Sequence, residues 1–249
     1  MVWIEPDWPA PASVRAICTT RAGGVSSGPY AGLNLADHVG DDPACVARNR
    51  AMLAERLVLP AEPLWLRQVH GCAVASSGLD GTGCEADASM ALGPGRVCVV
   101  LTADCLPLLL CDRAGTRVAA VHAGWRGLVA GVIEATLERM QVAHEDLLVW
   151  LGPAIGPGVF EVGPEVRSAF LALDPGADQA FRPSPAGRWL ADIYLLARRR
   201  LAAQGVTEVW GGEHCTVTDA ERFFSYRRDG ATGRMASLIW IAPAVANSG

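Results

Sequence analysis

Residues 97–126, VCVVLTADCLPLLLCDRAGTRVAAVHAGWR, decide the fold of this chain. The stretch contains three apolar runs, VCVVL, LPLLLC and RVAAVH, each short and continuous enough to predict a strand that is buried on both faces. Cys105 lies between the first two runs, and His122 ends the third. A thiol and an imidazole at strand ends can share a metal ion or act as nucleophile and base. The stretch therefore predicts the floor of an active site.

Strand and helix patterns alternate on both sides of this stretch, which by itself would suggest a doubly wound sheet. The sequence shows no internal repeat and no linker of disordered composition, so one domain spanning residues 1–249 is expected. Further strands are predicted at 14–20, 64–69, 147–151, 206–210 and in SLIWIA near the carboxyl terminus, and helices at 43–59, 128–140, 164–173 and 190–204. The stretch from 174 to 188 has the composition of a loop.

The composition, with 51% hydrophobic and 19% charged residues among 249, is that of an ordinary soluble globular protein. The net charge of −5 disfavours nucleic acid and anionic membranes as partners. Because the sequence has neither a signal-peptide pattern nor an apolar run of membrane-spanning length, a cytoplasmic protein is expected. The eight cysteines include no CxxC pair, which excludes a zinc knuckle. All 21 basic residues are arginine, so lysine Schiff-base chemistry is excluded.

The third contributor to a site with Cys105 and His122 is expected to be His70, which follows the predicted strand 64–69. Strand ends are common places for functional side chains. A lone histidine is more often structural than catalytic, however, so the residue is a candidate only in combination with the other two. Asp104, beside Cys105, needs a partner if it is buried, and a structural role for it is as plausible as a catalytic one.

Other candidate pocket residues lie on turns and loops. Arg126 lies in AGWRG, a turn into a helix that can hold an anion. Asn34 lies in a long loop rich in glycine and aspartate, together with Arg21 and His38. Arg227 belongs to FFSYRRDG, a segment whose aromatic residues and arginines suit a planar or anionic ligand. For each of these residues, a structural role in packing or on the solvated surface is an equally good interpretation.

The residues themselves are compatible with three interpretations of the chemistry. His70, Cys105 and His122 match a catalytic zinc site with an open position, where zinc would lower the pKa of bound water. Alternatively, Cys105 attacks a carbonyl carbon while His122 takes its proton and His70 or Asp104 orients the imidazole, as in an amidase or acyl transferase. In the third reading the same residues bind a structural metal in a protein without catalytic activity.

Eight segments spread over nearly the whole chain resemble the laccase-domain proteins, which are variously named polyphenol oxidase, purine nucleoside phosphorylase and peptidoglycan editing factor. The segments, in order, are TRAGGVSSGPYAGLNLADHVGDD, VARNR, QVHG, EADA, TADCLPLLL, AAVHAGWRG, LGPAIGP and FFSYRRDGATGR. The resemblance implies an α/β fold, a layered sandwich of mixed β-sheets flanked by helices. It also implies that His70, Cys105 and His122 are the zinc-binding catalytic set.

The activity that the resemblance implies is phosphorolysis of adenosine, inosine and methylthioadenosine, with adenosine deamination as a second activity. Asn34, Asp104, Arg126 and Arg227 are then candidate substrate-binding residues, and the two arginines are candidate phosphate contacts. The alternative is an editing hydrolase that removes a misincorporated serine from a peptidoglycan precursor. A multicopper laccase is disfavoured because the chain has only five histidines, so zinc is expected rather than copper. A monomer that acts on small molecules is expected.

Overall fold

The computed structural model describes residues 1–243 and contains three sheets, with helices on their outer sides. The strands are β1 (Trp3–Ile4), β2 (Val14–Thr19), β3 (Val74–Ser76), β4 (Ala88–Leu92), β5 (Val97–Thr102), β6 (Leu106–Asp112), β7 (Arg117–Ala123), β8 (Leu147–Leu151), β9 (Glu161–Val162), β10 (Phe181–Ser184), β11 (Arg188–Ala191), β12 (Val209–Gly211) and β13 (Met235–Ile241). The helices are α1 (Pro43–Leu57), α2 (Trp125–Ala130), α3 (Val132–Met140), α4 (Pro164–Leu173), α5 (Ile193–Ala203) and α6 (Tyr226–Asp229).

Two large sheets form the middle of the molecule. The first is antiparallel, with the strand order β1-β2-β13-β5. The second is mixed, with the order β12-β8-β6-β7-β4-β3, in which the two outermost pairs are parallel and the inner pairs antiparallel. A small antiparallel sheet, β10-β11-β9, lies apart from them. The fold is therefore the expected layered sandwich of mixed sheets in one domain.

The layering explains why the central strands are continuous apolar runs. Along β6, Leu109 and Cys111 pack toward the first sheet, whereas Leu108 and Leu110 pack toward helices α2, α3 and α5. The first sheet is likewise covered on both faces, since its outer side packs against Leu53 of α1. Each strand of the two middle layers thus buries both of its faces, and burial of apolar area is the main stabilising contribution.

The predicted strand at 64–69 is wrong. This segment forms only isolated bridges, from Leu64 to Cys98 and from Arg67 to Glu85, because its backbone pairs with two different neighbours within a few residues. Its side chains are apolar because they are buried without belonging to a sheet. Leu64 and Leu66 pack between the large sheets, and Trp65 packs on the outer side of the first sheet. A run of buried side chains therefore does not require a continuous ladder of hydrogen bonds.

Two other predictions need correction. The helix expected at 128–140 begins earlier, at Trp125, and is interrupted at Gly131, whose φ of 89° ends α2 before α3 begins. The stretch expected to be a loop up to Arg188 contains a 3-10 helix, Pro175–Ala180, and strand β10. The remaining predicted elements are present, with ends shifted by up to three residues. Within residues 1–243, no helix combines the length and apolar character needed to cross a membrane.

Candidate metal centre

The pairing of β6 with β7 brings the cysteine and the buried histidine to one end of the second sheet. The register pairs Pro107 with His122 and Leu106 with Ala123, which places Cys105 across from Gly124. A Cβ atom at Gly124 would lie 3.0 Å from Cys105 Sγ and 3.3 Å from His70 Cδ2. A side chain at this position would therefore press on both the thiol and the imidazole, and glycine avoids that contact.

His70 joins the pair from the irregular segment after Val69. Its Nε2 lies 3.8 Å from Cys105 Sγ, and its ring centre lies 4.8 Å from that of His122, with the ring planes 73° apart. One ligand atom from each of the three residues lies within 4.8 Å of the others, and this is the single such group of three or more among residues 1–243. The three residues that the sequence singled out thus form one cluster.

Two strained backbone positions hold this cluster. His70 has a φ of 62° and Asp104 a φ of 90°, values that cost non-glycine residues about 1–3 kcal/mol each. The Asp104 carboxylate accepts hydrogen bonds from Thr216 Oγ1 and from the Arg227 backbone N–H, both at 2.6 Å. One strained residue, His70, is a candidate ligand, and the other, Asp104, directly precedes the candidate ligand Cys105. The surrounding structure therefore imposes the positions of Cys105 and His70.

Asp87 connects the residues of the cluster through hydrogen bonds. One carboxylate oxygen accepts the His70 N–H at 2.9 Å and pairs with His122 Nδ1 at 2.7 Å, and the other accepts the N–H groups of Val69 and Gly71 at 3.1 and 2.7 Å. The residue is fully buried at the start of β4. Because Asp87 engages Nδ1 of His122, it leaves Nε2 of that ring for a ligand, the usual arrangement around a metal-binding histidine.

The sequence reasoning missed the role of Asp87. The available signal was an aspartate directly before a buried strand, which must find partners for its charge. Those partners are backbone N–H groups of a distant segment and a histidine 35 residues further along the chain. No local sequence pattern predicts such contacts.

The electrostatics of the cluster favour a thiolate beside an imidazolium. Burial alone would raise the pKa of Cys105, but hydrogen bonds and positive charge from His122 and His70 outweigh it and lower the pKa to about 6. Burial would lower the pKa of His122, but the hydrogen bond to Asp87 and the contact with Cys105 raise it to about 9. Burial opposes ionisation of Asp87 as well, yet its bonds to His122 and to the backbone lower its pKa overall.

The donor set fits a zinc ion. Tetrahedral zinc, with Zn–S of about 2.3 Å and Zn–N of about 2.0–2.1 Å, separates sulfur and nitrogen ligands by about 3.5 Å. The observed separation of 3.8 Å between Cys105 Sγ and His70 Nε2 is a few tenths of an ångström larger. The thiol is already poised as a thiolate, the form that binds metals. Three protein ligands leave a fourth position open, as in catalytic zinc sites.

The cluster opens into a cavity of about 410 Å³. The buried part of its lining is apolar and comes from Ile155, Phe160, Val162, Val166 and Ile193. The exposed and half-buried part of its lining carries aromatic and charged side chains, namely Trp125, Tyr226, Arg126, Arg227, Glu161 and Glu165. A pocket of this size with an apolar wall and a few charged groups suits a small organic ligand.

The predicted substrate-binding residues separate into two groups. Asp104, Arg126 and Arg227 line the cavity, and the Arg126 guanidinium stacks 4.4 Å from the Trp125 ring. Asn34 does not line it, because its buried amide donates to Asp41 and to the Ala36 carbonyl and accepts from two backbone N–H groups. Asn34 thus ties its own loop together and fixes the start of β13.

The other residues suggested by composition also lie apart from the cavity or inside the protein. His38 lines a separate pocket of about 240 Å³, beside Arg50 and Trp65. Phe224 is fully buried, and Arg228 points inward to the carbonyls of residues 216, 217 and 223. The packing explanation is therefore the right one for Phe224 and Arg228.

Fold and cluster together define an α/β protein with a mixed histidine and cysteine centre at the end of a buried sheet. Residues 15–242 match the family described as multi-copper polyphenol oxidoreductase laccase, and the chain belongs to this family. A protein named purine nucleoside phosphorylase from Pseudomonas aeruginosa is 58% identical over 240 residues, which cover 96% of this chain and 98% of that protein. One of the same name from Escherichia coli K12 is 55% identical over 239 residues, covering 96% and 98%.

Solved structures show the same fold. A Neisseria meningitidis protein superimposes with a TM-score of 0.93 at 50% identity, covering 97% of this chain and 99% of that one. The YlmD protein of Geobacillus stearothermophilus gives a TM-score of 0.92 at 31% identity, covering 98% and 97%. The similarity therefore extends over essentially the whole fold.

Proposed function

We propose that the protein is a zinc-dependent purine nucleoside phosphorylase that acts on adenosine, inosine and methylthioadenosine, with adenosine deamination as a side activity. The observation that carries the proposal is the cluster of His70, Cys105 and His122 beside a cavity whose lining includes aromatic and cationic groups. Relatives that are 55–58% identical over nearly their full length bear the name purine nucleoside phosphorylase.

In the proposed reaction an oxygen of inorganic phosphate bonds to C1' of the ribose while the bond from C1' to the purine nitrogen breaks. The purine leaves with the bonding electron pair and takes up a proton, and ribose 1-phosphate is the second product. Zinc bound by the three ligands would supply Lewis-acid stabilisation of negative charge. Asp87 holds His70 and His122 in place for this task.

The cavity supports the proposal through its division into apolar and charged parts. Trp125 and Tyr226 offer aromatic faces for a purine ring. Arg126 and Arg227 offer guanidinium groups for phosphate, whose oxygens match their paired N–H donors. The apolar wall with Phe160 suits the apolar parts of a nucleoside.

The set of donor atoms is the reason for proposing zinc rather than copper. Copper oxidases that reduce oxygen need several copper ions and many imidazole ligands, whereas this chain has five histidines. Two of those, His70 and His122, share one site with a single cysteine. His38 and His144 pair instead with Asp37 and with the Gln204 carbonyl.

The test supplies purified protein of measured metal content with adenosine, in the presence and absence of phosphate. Adenine and ribose 1-phosphate that form only with phosphate are the expected products, and inosine formed without phosphate would reveal the deaminase activity. Turnover that persists after complete removal of metal would contradict the zinc mechanism. Release of adenine without ribose 1-phosphate would show hydrolysis instead.

A second candidate function is favoured by one specific observation. Without a metal, Cys105, His122 and Asp87 form a chain of thiolate, imidazolium and carboxylate, the arrangement of a cysteine hydrolase. The alternative proposal is therefore an editing hydrolase that releases a misincorporated serine from a peptidoglycan precursor. Incubation with a serine-bearing precursor distinguishes the two, because free serine is the product of the hydrolase and not of the phosphorylase.

A further inference from the structure

Asp104 connects the segment that carries Cys105 to three other segments of the chain. The residue is buried, lines the cavity and directly precedes Cys105. Its backbone carbonyl accepts the N–H of Ile155, which also lines the cavity, at 2.9 Å. Its two carboxylate oxygens each accept one hydrogen bond of 2.6 Å, from the Thr216 hydroxyl and from the backbone N–H of Arg227. Four separate segments therefore meet at this one residue.

Arg227 is fixed at both ends, and its side chain lines the same cavity. Its backbone N–H belongs to the first turn of α6, where the helix itself offers no acceptor, and Asp104 supplies one. At the other end, one terminal guanidinium nitrogen donates to the Glu161 carbonyl at 2.9 Å. The remaining guanidinium donors form no hydrogen bond or ion pair with the protein within residues 1–243. An arginine held in this way can bind an anion with little further loss of side-chain entropy.

Direct contact between Asp104 and phosphate would be unfavourable. An ionised carboxylate has no hydrogen to donate to phosphate oxygens, and the two negative charges repel each other. If Asp104 acted on phosphate only through its charge, its removal would strengthen phosphate binding. If it acts by holding Arg227, its removal weakens phosphate binding although a repulsion is lost. The two roles therefore predict effects of opposite sign.

We propose that Asp104 is a positioning residue, whose carboxylate holds Arg227 where the free guanidinium donors bind inorganic phosphate in the cavity. The inference rests on the proposed phosphorylase function and assigns Asp104 a role in the binding of its second substrate. Asp104 acts through Arg227 and not by contact with the phosphate. The strained φ of 90° at Asp104 is then the conformation that brings its carboxylate to the Arg227 N–H.

The experiment titrates zinc-loaded protein with inorganic phosphate in a calorimeter and measures KM separately for phosphate and adenosine. Asp104→Gly removes the carboxylate, and glycine adopts a φ of 90° without strain. This variant should weaken phosphate binding and raise the KM for phosphate about tenfold to hundredfold, the range expected when a hydrogen bond between charged groups is lost. The KM for adenosine should stay within about twofold, because Arg227 is assigned to phosphate.

Asp104→Asn is the conservative variant that should recover most of this loss. In one orientation the amide oxygen accepts the Arg227 N–H while the amide NH2 group donates to the Thr216 hydroxyl, so both contacts survive without the charge. Asparagine also tolerates a positive φ. An equal loss of phosphate affinity in Asp104→Asn and Asp104→Gly would show that the charge matters rather than the position of Arg227, and would overturn the inference.

A double-mutant cycle tests whether Asp104 acts through Arg227. Arg227→Gln should itself raise the KM for phosphate, and the addition of Asp104→Gly to that variant should raise it no further than about twofold. Asp112→Ala is the matched control, because Asp112 is buried and accepts backbone hydrogen bonds at the end of β6 that is remote from Cys105. It should lower the melting temperature and leave both KM values unchanged.

Zinc content and melting temperature are measured on every variant. Unchanged or stronger phosphate binding in a folded, zinc-loaded Asp104→Gly variant would overturn the inference, and so would losses that add in the double mutant. If Asp104→Gly does not fold or does not retain zinc, Thr216→Val decides, since it removes the hydroxyl that orients the carboxylate. Thr216→Val should then raise the KM for phosphate and Thr216→Ser, which keeps the hydroxyl, should not; equal KM values in these two variants would refute the assignment.

The outcomes also separate this inference from the proposed function. Phosphate binding that depends on Asp104 and Arg227, in a protein that forms no ribose 1-phosphate, would contradict the phosphorylase function and leave the positioning role standing. Formation of ribose 1-phosphate with an unchanged KM for phosphate in Asp104→Gly would leave the function standing and remove the positioning role.

Discussion

Replacement of Asp87 by asparagine removes one of the two acceptor oxygens that connect the residues of the cluster. The two carboxylate oxygens together take four hydrogen bonds, two on each oxygen, from Val69, His70, Gly71 and His122. An amide offers one oxygen and one NH2 group, so in either orientation two donors lose their acceptor and face another donor. At about 1–3 kcal/mol for each unsatisfied buried donor, the loss is about 2–6 kcal/mol.

Two measurements follow from this loss. The free energy of unfolding, measured with denaturant, should fall by an amount in that range, a large share of the total stability of a typical domain. Zinc affinity, measured by competition with a chromophoric chelator, should fall about tenfold to hundredfold, as is usual when the hydrogen-bond partner of a ligating histidine is removed.

Asp112→Asn provides the matched control. Asp112 is also buried, and its carboxylate accepts hydrogen bonds from the N–H groups of Thr116 and Arg117 and from the Thr116 hydroxyl. It lies at the end of β6 that is remote from Cys105. Asp112→Asn should therefore lose stability but keep its zinc affinity. An Asp87→Asn variant that binds zinc as tightly as the unaltered protein would refute the reasoning.

Three further perturbations have defined outcomes. Gly124→Ala should weaken zinc binding about tenfold, because the added Cβ forces Cys105 and His70 apart by a few tenths of an ångström; an unchanged affinity would show that the ligands adapt freely. In the metal-free protein, alkylation of Cys105 by iodoacetamide should reach half its maximal rate near pH 6, because the thiolate predominates above that pKa, and zinc should suppress the reaction; a midpoint above pH 8 would contradict the thiolate and imidazolium pair. Thr216→Val should lower the free energy of unfolding by about 1–3 kcal/mol, since the strained Asp104 loses a buried hydrogen bond, and denaturant unfolding that is unchanged would contradict this.

Much of the architecture was predictable from the apolar runs. VCVVL, LPLLLC and RVAAVH are strands because each is short and buried on both faces, and the two reactive residues lie at or just beyond their ends. The arrangement of the sheets was not predictable from alternation alone. Burial on both faces is typical of parallel sheets between helices, yet here it comes from two mostly antiparallel sheets packed against each other.

The candidate site was predictable only in part, because its geometry depends on contacts between distant segments. His70 was proposed as the third member because it follows the segment 64–69, and the family resemblance implied the same role, but the strand predicted for that segment does not exist. The role of Asp87 was missed because it depends on backbone donors and a histidine from distant segments, which no local pattern encodes. Asn34 lies outside the cavity because the polar groups of its glycine-rich loop bond to one another.

The most direct test of the central claim measures phosphorolysis before and after removal and return of zinc. Protein stripped of metal with a chelator should form no ribose 1-phosphate from adenosine and phosphate, and addition of one equivalent of zinc should restore the activity. Cys105→Ala, which removes one of the three ligands, should retain no zinc and should not recover. Full activity in the stripped protein, or recovery of Cys105→Ala with zinc, would contradict the account.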